Sequence, residues 1–153
     1  MNIQEAGKED IEVLSELWYS LAKEMEKYSE LNDLKSSAKE NSRDGFYNLL
    51  EDEDTKIFLL EIEDEIVGYM ILQEGKHPSR THEKYISIVD LFVEKEYRSQ
   101  GYGTEMMEKA EQYAEKQGCD HLKVSAEVKN TEARKFYEKN GYTQKQIKYV
   151  KEL

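Results

Sequence analysis

The chain has 153 residues, 36% of them charged and 38% hydrophobic, with a formal net charge of −11. Its length suits one domain, residues 1–153, with a core that needs no staples, and its acidity excludes nucleic acid as a main partner, because phosphate contacts need clustered Lys and Arg. The single cysteine, Cys119, excludes an internal disulfide and a thiolate metal centre, and its reduced state points to a cytoplasmic protein.

In chain order, residues 2–5 carry a short strand signal. From 10 to 28 the apolar positions Ile11, Leu14, Leu17, Trp18, Leu21 and Met25 recur with helical spacing. A second helix is predicted over about 34–50, with Asn32 or Asp33 as its cap. The runs 57–62 and 66–72, joined by Glu63-Asp64-Glu65, read as a hairpin. Residues 75–81, which include Pro78, read as a loop. The run 85–93 is apolar enough for a central strand buried on both faces. Met106, Met107, Ala110, Tyr113 and Ala114 stripe a helix over 101–117, and Gly118 stands after it as its cap. Residues 121–128 alternate as a strand. Asn130 or Thr131 starts a helix striped by Ala133, Phe136 and Tyr137, and Gly141 ends it. Residues 142–150 read as a final, weaker strand near an edge. The order β-α-α-β-β-β-α-β-α-β, with an antiparallel hairpin and a parallel crossover, implies an α/β (α+β) fold: a mixed sheet flanked by helices on both faces.

No Pro/Gly/Ser-rich linker and no internal repeat interrupts this order. His77, His82 and His121 lack metal-ligand spacing, so no metal is expected. Residues 1–10 lack a basic region leading into an apolar run, and no apolar stretch approaches the roughly 18 residues of a span, so neither a signal peptide nor a membrane partner is expected. The acidity is compatible with a cationic substrate, although solubility alone accounts for it.

The loop before the 101–117 helix carries the chemistry. Gly101 and Gly103 let backbone approach a ligand. Successive N–H groups there can form an anion nest, and the helix N-terminus adds unpaired donors and a partial positive charge. Arg98 offers a cation and Thr104 a hydroxyl. Two glycines alone fit an ordinary turn equally well. A Walker A loop would need Gly-Lys-Ser/Thr, which is absent. A dinucleotide fingerprint would need a third glycine where Met106 stands, and no residues 94–100 between strand and first glycine.

Arg98-Ser99-Gln100-Gly101-Tyr102-Gly103 resembles the Arg/Gln-x-x-Gly-x-Gly/Ala signature of the GNAT acetyltransferase superfamily. So do the preceding Val93-Glu94-Lys95-Glu96-Tyr97, the hairpin end Ile66-Val67-Gly68-Tyr69, and the run from Asn130 to Tyr142. The resemblance is specific over about 57–142 and only architectural over 1–50. It implies acetyl-CoA as cosubstrate. Backbone groups of Leu91, Phe92 and Val93, in a strand that splays from its neighbour, would bond the pantetheine arm. The N–H groups of Arg98, Ser99, Gln100, Gly101, Tyr102, Gly103 and Thr104 would wrap the pyrophosphate, with Asn130 and Ala133 as further cofactor contacts.

It also implies direct attack by an amine, which must first lose a proton, since an alkylammonium has a pKa of about 10.4. Tyr137 matches the residue that protonates the leaving thiolate. For the base, Asp90 interrupts an apolar strand where an unpaired carboxylate would be costly, and Glu127 is a second candidate. Val89-Asp90-Leu91-Phe92-Val93 is similar to the matching strand of diamine and polyamine acetyltransferases, which carry an acidic residue where Val89 stands. Glu24, Glu26, Tyr28, His82 and Glu83 are the candidates for the amine pocket. The implied activity is transfer of acetyl to a primary amine: a small amine, an amino acid, an aminoglycoside or a protein N-terminus. A non-catalytic CoA-binding or sensory module on the same fold, and a nucleotide-binding regulator, are the competing classes. Only Lys151-Glu152-Leu153 come after the last predicted strand, where many family members have another; that leaves an edge for a homodimer.

Overall fold

A computed structural model describes residues 1–153. Its elements are β1 (Asn2–Glu5), α1 (Ile11–Met25), α2 (Ala38–Glu51), β2 (Thr55–Ile62), β3 (Glu65–Lys76), β4 (Lys84–Val93), α3 (Tyr102–Lys116), β5 (His121–Val124) and α4 (Thr131–Lys139). They build one mixed sheet in the order β1-β2-β3-β4-β5. The pairings are antiparallel except β4 with β5, which the α3 crossover makes parallel. No helix is long and apolar enough to cross a membrane.

Strand alternation divides the sheet's side chains between two cores. Leu60, Met70, Leu72, Ile86 and Ile88 point to one face, where Met106, Met107, Ala110 and Ala114 of α3 cover them. Ile57, Leu59, Tyr69 and Ile71 point to the other, under Leu14 and Leu17 of α1 and Phe46 of α2. Each fully buried Leu or Ile is worth about 1.5–3 kcal/mol, so both layers contribute heavily.

One irregularity sets up the site. Ile71 pairs with Asp90 but Leu72 pairs with Ile88, which leaves Val89 as an extra residue in β4. Such a bulge bends the strand and re-aims the side chains beyond it. Before it, the even residues Ile86 and Ile88 face α3; after it, the odd residues Leu91 and Val93 do, and Phe92 turns to the α1 side. Asp90 therefore shares a face with Tyr69. Val89 itself is 49% exposed, so β4 is not buried on both faces throughout.

Four expectations need correction. The strand expected over 121–128 ends at Val124. Alternation continues through Ala126 and Val128, but β4 offers no partner beyond its bulge. The strand expected over 142–150 is absent, and residues 143–150 are exposed without regular structure. The helix expected from 34 begins at Ala38, after Ser37. Asn32 instead donates its side-chain amide to the Met25 carbonyl at 3.0 Å, closing the end of α1.

Candidate active site

β4 is paired with β3 along its whole length, from Lys84 to Val93. On its other side it pairs with β5 only from Tyr85 to Ile88. From Asp90 onward that side is open, which is the splay implied by the sequence resemblance. Strand geometry decides which backbone groups face the opening. The Glu94 N–H donates to the Val67 carbonyl at 2.8 Å, and the Phe92 carbonyl lies against Gly68. By alternation Phe92 directs its backbone to β3, which leaves Leu91 and Val93 facing the gap. One lone pair of the Val93 carbonyl already accepts from Arg98 Nε at 2.7 Å.

After a short turn over Lys95–Tyr97 the chain enters the glycine loop. Ser99 has φ 63° and Gly101 has φ 91°, both left-handed. For Ser99 that conformation costs roughly 1–2 kcal/mol; glycine adopts it freely. Gly101 is also the N-cap of α3 and has no side chain to accept the first N–H groups of the helix. Those of Tyr102, Gly103 and Thr104 are left as unpaired donors around a helix N-terminus, an arrangement that suits phosphate oxygens. Gly103 serves a different end. A Cβ there would lie 3.0 Å from the Phe136 ring, so its bareness lets α3 close on α4.

Arg98 is not a free cation. Its Nη2 donates to both carboxylate oxygens of Glu24, at 2.8 and 3.1 Å, and its guanidinium lies over the Phe92 ring. Glu24 thus belongs to the loop's support as well as to the cavities beside it. A cleft of about 420 Å³ between the end of α1 and the start of α4 is lined by Lys27, Lys95, Arg98 and Lys129, against Glu24 and Glu132. Positive charge prevails there although the chain is acidic overall. Tyr28 lines the same cleft. A second cavity of about 280 Å³ lies between α1 and the end of β4, among Ser20, Glu24, Phe92, Glu94, Lys95 and Glu96.

Asp90 is half-buried, and its Oδ2 accepts a 2.8 Å hydrogen bond from the hydroxyl of the fully buried Tyr69. Burial raises the Asp90 pKa, and the Tyr69 hydrogen bond opposes that rise. Across the opening, Tyr137 packs against Phe136 and Tyr142. Its pKa is pushed up to about 12, first by burial and then by the negative charge of Asp90. The phenol therefore stays protonated at neutral pH, a donor within electrostatic reach of a carboxylate. Tyr69 was not expected as a site residue. Its signal was a lone hydroxyl within an apolar run, opposite the strand that carries Asp90.

The other expected residues divide. The Asn130 side chain accepts from the Ala133 N–H at 3.1 Å, so it caps α4. Glu127 lies in the turn leading to α4, beyond the end of β5, where its carbonyl accepts from the Asn130 N–H. His82 and Glu83 are exposed at the opposite end of β4, roughly 25 Å along the strand from the opening. The structure does not bring them to the site. Glu26 is also engaged, accepting from the Leu34 N–H at 2.9 Å and pairing with Lys23.

Comparison with known proteins places the fold and the family. An uncharacterised N-acetyltransferase of Methanocaldococcus jannaschii, MJ1207, is 24% identical over 145 residues, 95% of this chain but 62% of that protein. The chain thus spans less than two thirds of that relative's length. The BH1408 protein of Bacillus halodurans, at 20% identity, superposes with a TM-score of 0.90 over the whole of both chains. The aminoglycoside N-acetyltransferase AAC(6')-Iy, solved in complex with CoA, superposes at 0.80 with 12% identity, over 99% of this chain and 93% of that one. These two show the fold. The family model for acetyltransferases matches residues 16–142, and the chain belongs to that family, the GNAT acetyltransferases.

Proposed function

We propose that the chain transfers an acetyl group from acetyl-CoA to a primary amine by direct attack in the opening between β4 and β5. The observation that carries this reading is the convergence there of three features: the unpaired edge of β4 beyond Asp90, the protonated Tyr137, and the free N–H groups at the start of α3. These residues fit acetyl-CoA, which supplies the acyl thioester. The α3 N-terminus suits its diphosphate, with Lys27, Lys95 and Lys129 adding positive charge along the cleft. Leu91 and Val93 have backbone groups free to bond the pantetheine amides and the thioester carbonyl.

Asp90 takes the proton from the amine. Its raised pKa brings it closer to the ammonium it must deprotonate, and Tyr69 holds the carboxylate in place. Tyr137 donates its phenolic proton to the departing sulfur. In the cavity between α1 and the end of β4, Glu94 and Glu96 outnumber Lys95, with Glu24 already paired to Arg98, and this excess of negative charge supports a cationic acceptor. Among the acceptor classes, this favours small diamines and aminoglycosides over zwitterionic amino acids. The deciding measurement is acetyl-CoA turnover over a panel of amines. Release of free CoA with a diamine or aminoglycoside supports the proposal; tight CoA binding with no turnover on any amine overturns it.

A further inference from the structure

Arg98 already occupies a seat of the kind a cationic acceptor needs. Its guanidinium carbon lies over the Phe92 ring, 5.4 Å from the centroid, and its Nη2 donates to both oxygens of Glu24 at 2.8 and 3.1 Å. A carboxylate beside an aromatic face attracts an alkylammonium for the same reasons. Glu24 and Phe92 both line the cavity of about 280 Å³ between α1 and the end of β4. Glu24 and Arg98 both line the cation-rich cleft of about 420 Å³ at the start of α4. Glu24 thus faces both cavities, and its ion pair links them. The pair is open to exchange. The Arg98 and Glu24 side chains are 35% and 30% exposed, and ion pairs in contact with water break at little cost. Glu24 has no other side-chain partner. Arg98 has one that does not depend on Glu24: its Nε donates to the Val93 carbonyl at 2.7 Å, so the side chain stays anchored when Nη2 lets go.

We infer that Arg98 holds the acceptor's place beside Glu24 and Phe92, and that a cationic acceptor, on taking that place, turns the guanidinium toward the CoA diphosphate in the neighbouring cleft. Glu24 is then a positioning residue that makes the two substrates bind cooperatively. Without acceptor it neutralises one cation of the cleft. With acceptor that charge is released and joins those of Lys27 and Lys129. The inference rests on the proposed acetyl transfer for the identity of its two ligands, but the coupling is a property of binding and needs no turnover. Linkage makes it reciprocal, so CoA must tighten the acceptor by the factor with which the acceptor tightens CoA. A diamine suits the exchange. Asp90 lies two residues before Phe92 on the same face of β4, roughly 7 Å away, where the second nitrogen of the same molecule would meet it.

The test is calorimetric titration of the full chain with CoA, alone and in saturating 1,4-diaminobutane or kanamycin. One of these amines should tighten CoA about fivefold or more, and CoA should tighten that amine equally. Glu24→Gln, which keeps the size of the side chain, should bind CoA alone more tightly than the parent does and lose the response to amine. Arg98→Gln should also lose the response, and adding Glu24→Gln to it should leave CoA affinity within about twofold. Tighter CoA binding on Glu24→Gln whatever stands at position 98 would reduce Glu24 to a general charge and overturn the inference. Equal CoA affinity with and without amine overturns it too, even where that amine is acetylated. An amine that tightens CoA in the parent but is never acetylated supports the exchange and counts against acetyl transfer instead. Failure of both amines to bind overturns both readings.

Discussion

The two halves of β4 have opposite fates. Residues 85–88 are paired with strands on both sides, and Ile86 and Ile88 are buried in the α3 core. Residues 89–93 begin with a bulge, keep a partner on one side only, and carry Asp90. Near the closed half lie all three histidines: His77 stacks on Tyr85, Lys123 contacts both, and His82 and His121 meet edge to face. That end gathers every histidine of the chain, yet its strands leave no gap for a ligand. Where backbone groups lack a partner is a better guide to this site than where histidines collect. If so, substitutions near the open half should change chemistry, and those near the closed half only stability.

The largest effect is expected for Tyr137→Phe. The phenol is the donor held protonated at the opening. Its loss should lower kcat about 10²-fold or more, the usual scale of a general acid, while CoA affinity by calorimetry changes little. A kcat within threefold of the parent would remove Tyr137 from the mechanism.

Asp90→Asn should come next, with a rate loss of about 10²-fold and a telling behaviour in stability. Burial raises the pKa of Asp90 in the folded chain, so the native state keeps a proton at pH values where the unfolded chain has released it. Stability is lost as pH rises through the window above the ordinary value of 3.8. The carboxylate is therefore a burden at neutral pH, and an amide oxygen can still accept from Tyr69. Thermal melts should show Asp90→Asn at least as stable as the parent at pH 7, and less favoured relative to it near pH 4. A marked loss of Tm at pH 7 would make Asp90 structural rather than catalytic.

Gly101→Ala is a smaller perturbation. Gly101 has φ 91° with open space where a Cβ would be, so only backbone strain opposes alanine. That strain is about 1–2 kcal/mol, or roughly 2–8 °C in Tm for a domain of this size. Because the cap shapes the donors of α3, CoA affinity should fall along with Tm. Unchanged affinity would move the phosphate site elsewhere along the cleft.

How far these contrasts could be read from the sequence depends on where their causes lie. The hairpin, the α3 stripe and the Gly101 turn have local causes, namely periodicity and conformational preference, and these are visible residue by residue. The end of β5 has no such cause. Ala126 and Val128 continue its alternation, but the bulge at Val89, a feature of a different strand, removes the partner. Residues 143–150 likewise have a strand's composition without a strand's neighbour. Asp90 was noticeable as a charge in an apolar run. Its Tyr69 partner, 21 residues away, and the Arg98–Glu24 pair, 74 residues apart, exist only through the fold. Arg98 shows the cost of that blindness: its motif position suggested a phosphate ligand, and its geometry makes it a brace between Glu24 and Val93.

The smallest effect belongs to the closed half and sharpens the contrast from that side. His77 faces Lys123, His121, Arg80 and Lys145, and burial together with these positive neighbours lowers its pKa below the ordinary 6.5. In the pair with Lys123 the neutral imidazole accepts and the ammonium donates. As pH falls below 6.5 the unfolded chain takes up the histidine proton before the native one does, so stability present above that value is lost on acidification. Lys123→Met removes the nearest of those charges. It should flatten the decline of Tm between pH 7 and pH 5.5 relative to the parent, and leave kcat within about twofold, because Lys123 belongs to the part of β5 that is paired with β4. A loss of turnover comparable to that of Asp90→Asn would mean that the closed half takes part in the chemistry, and that an unpaired strand edge is not what marks the site.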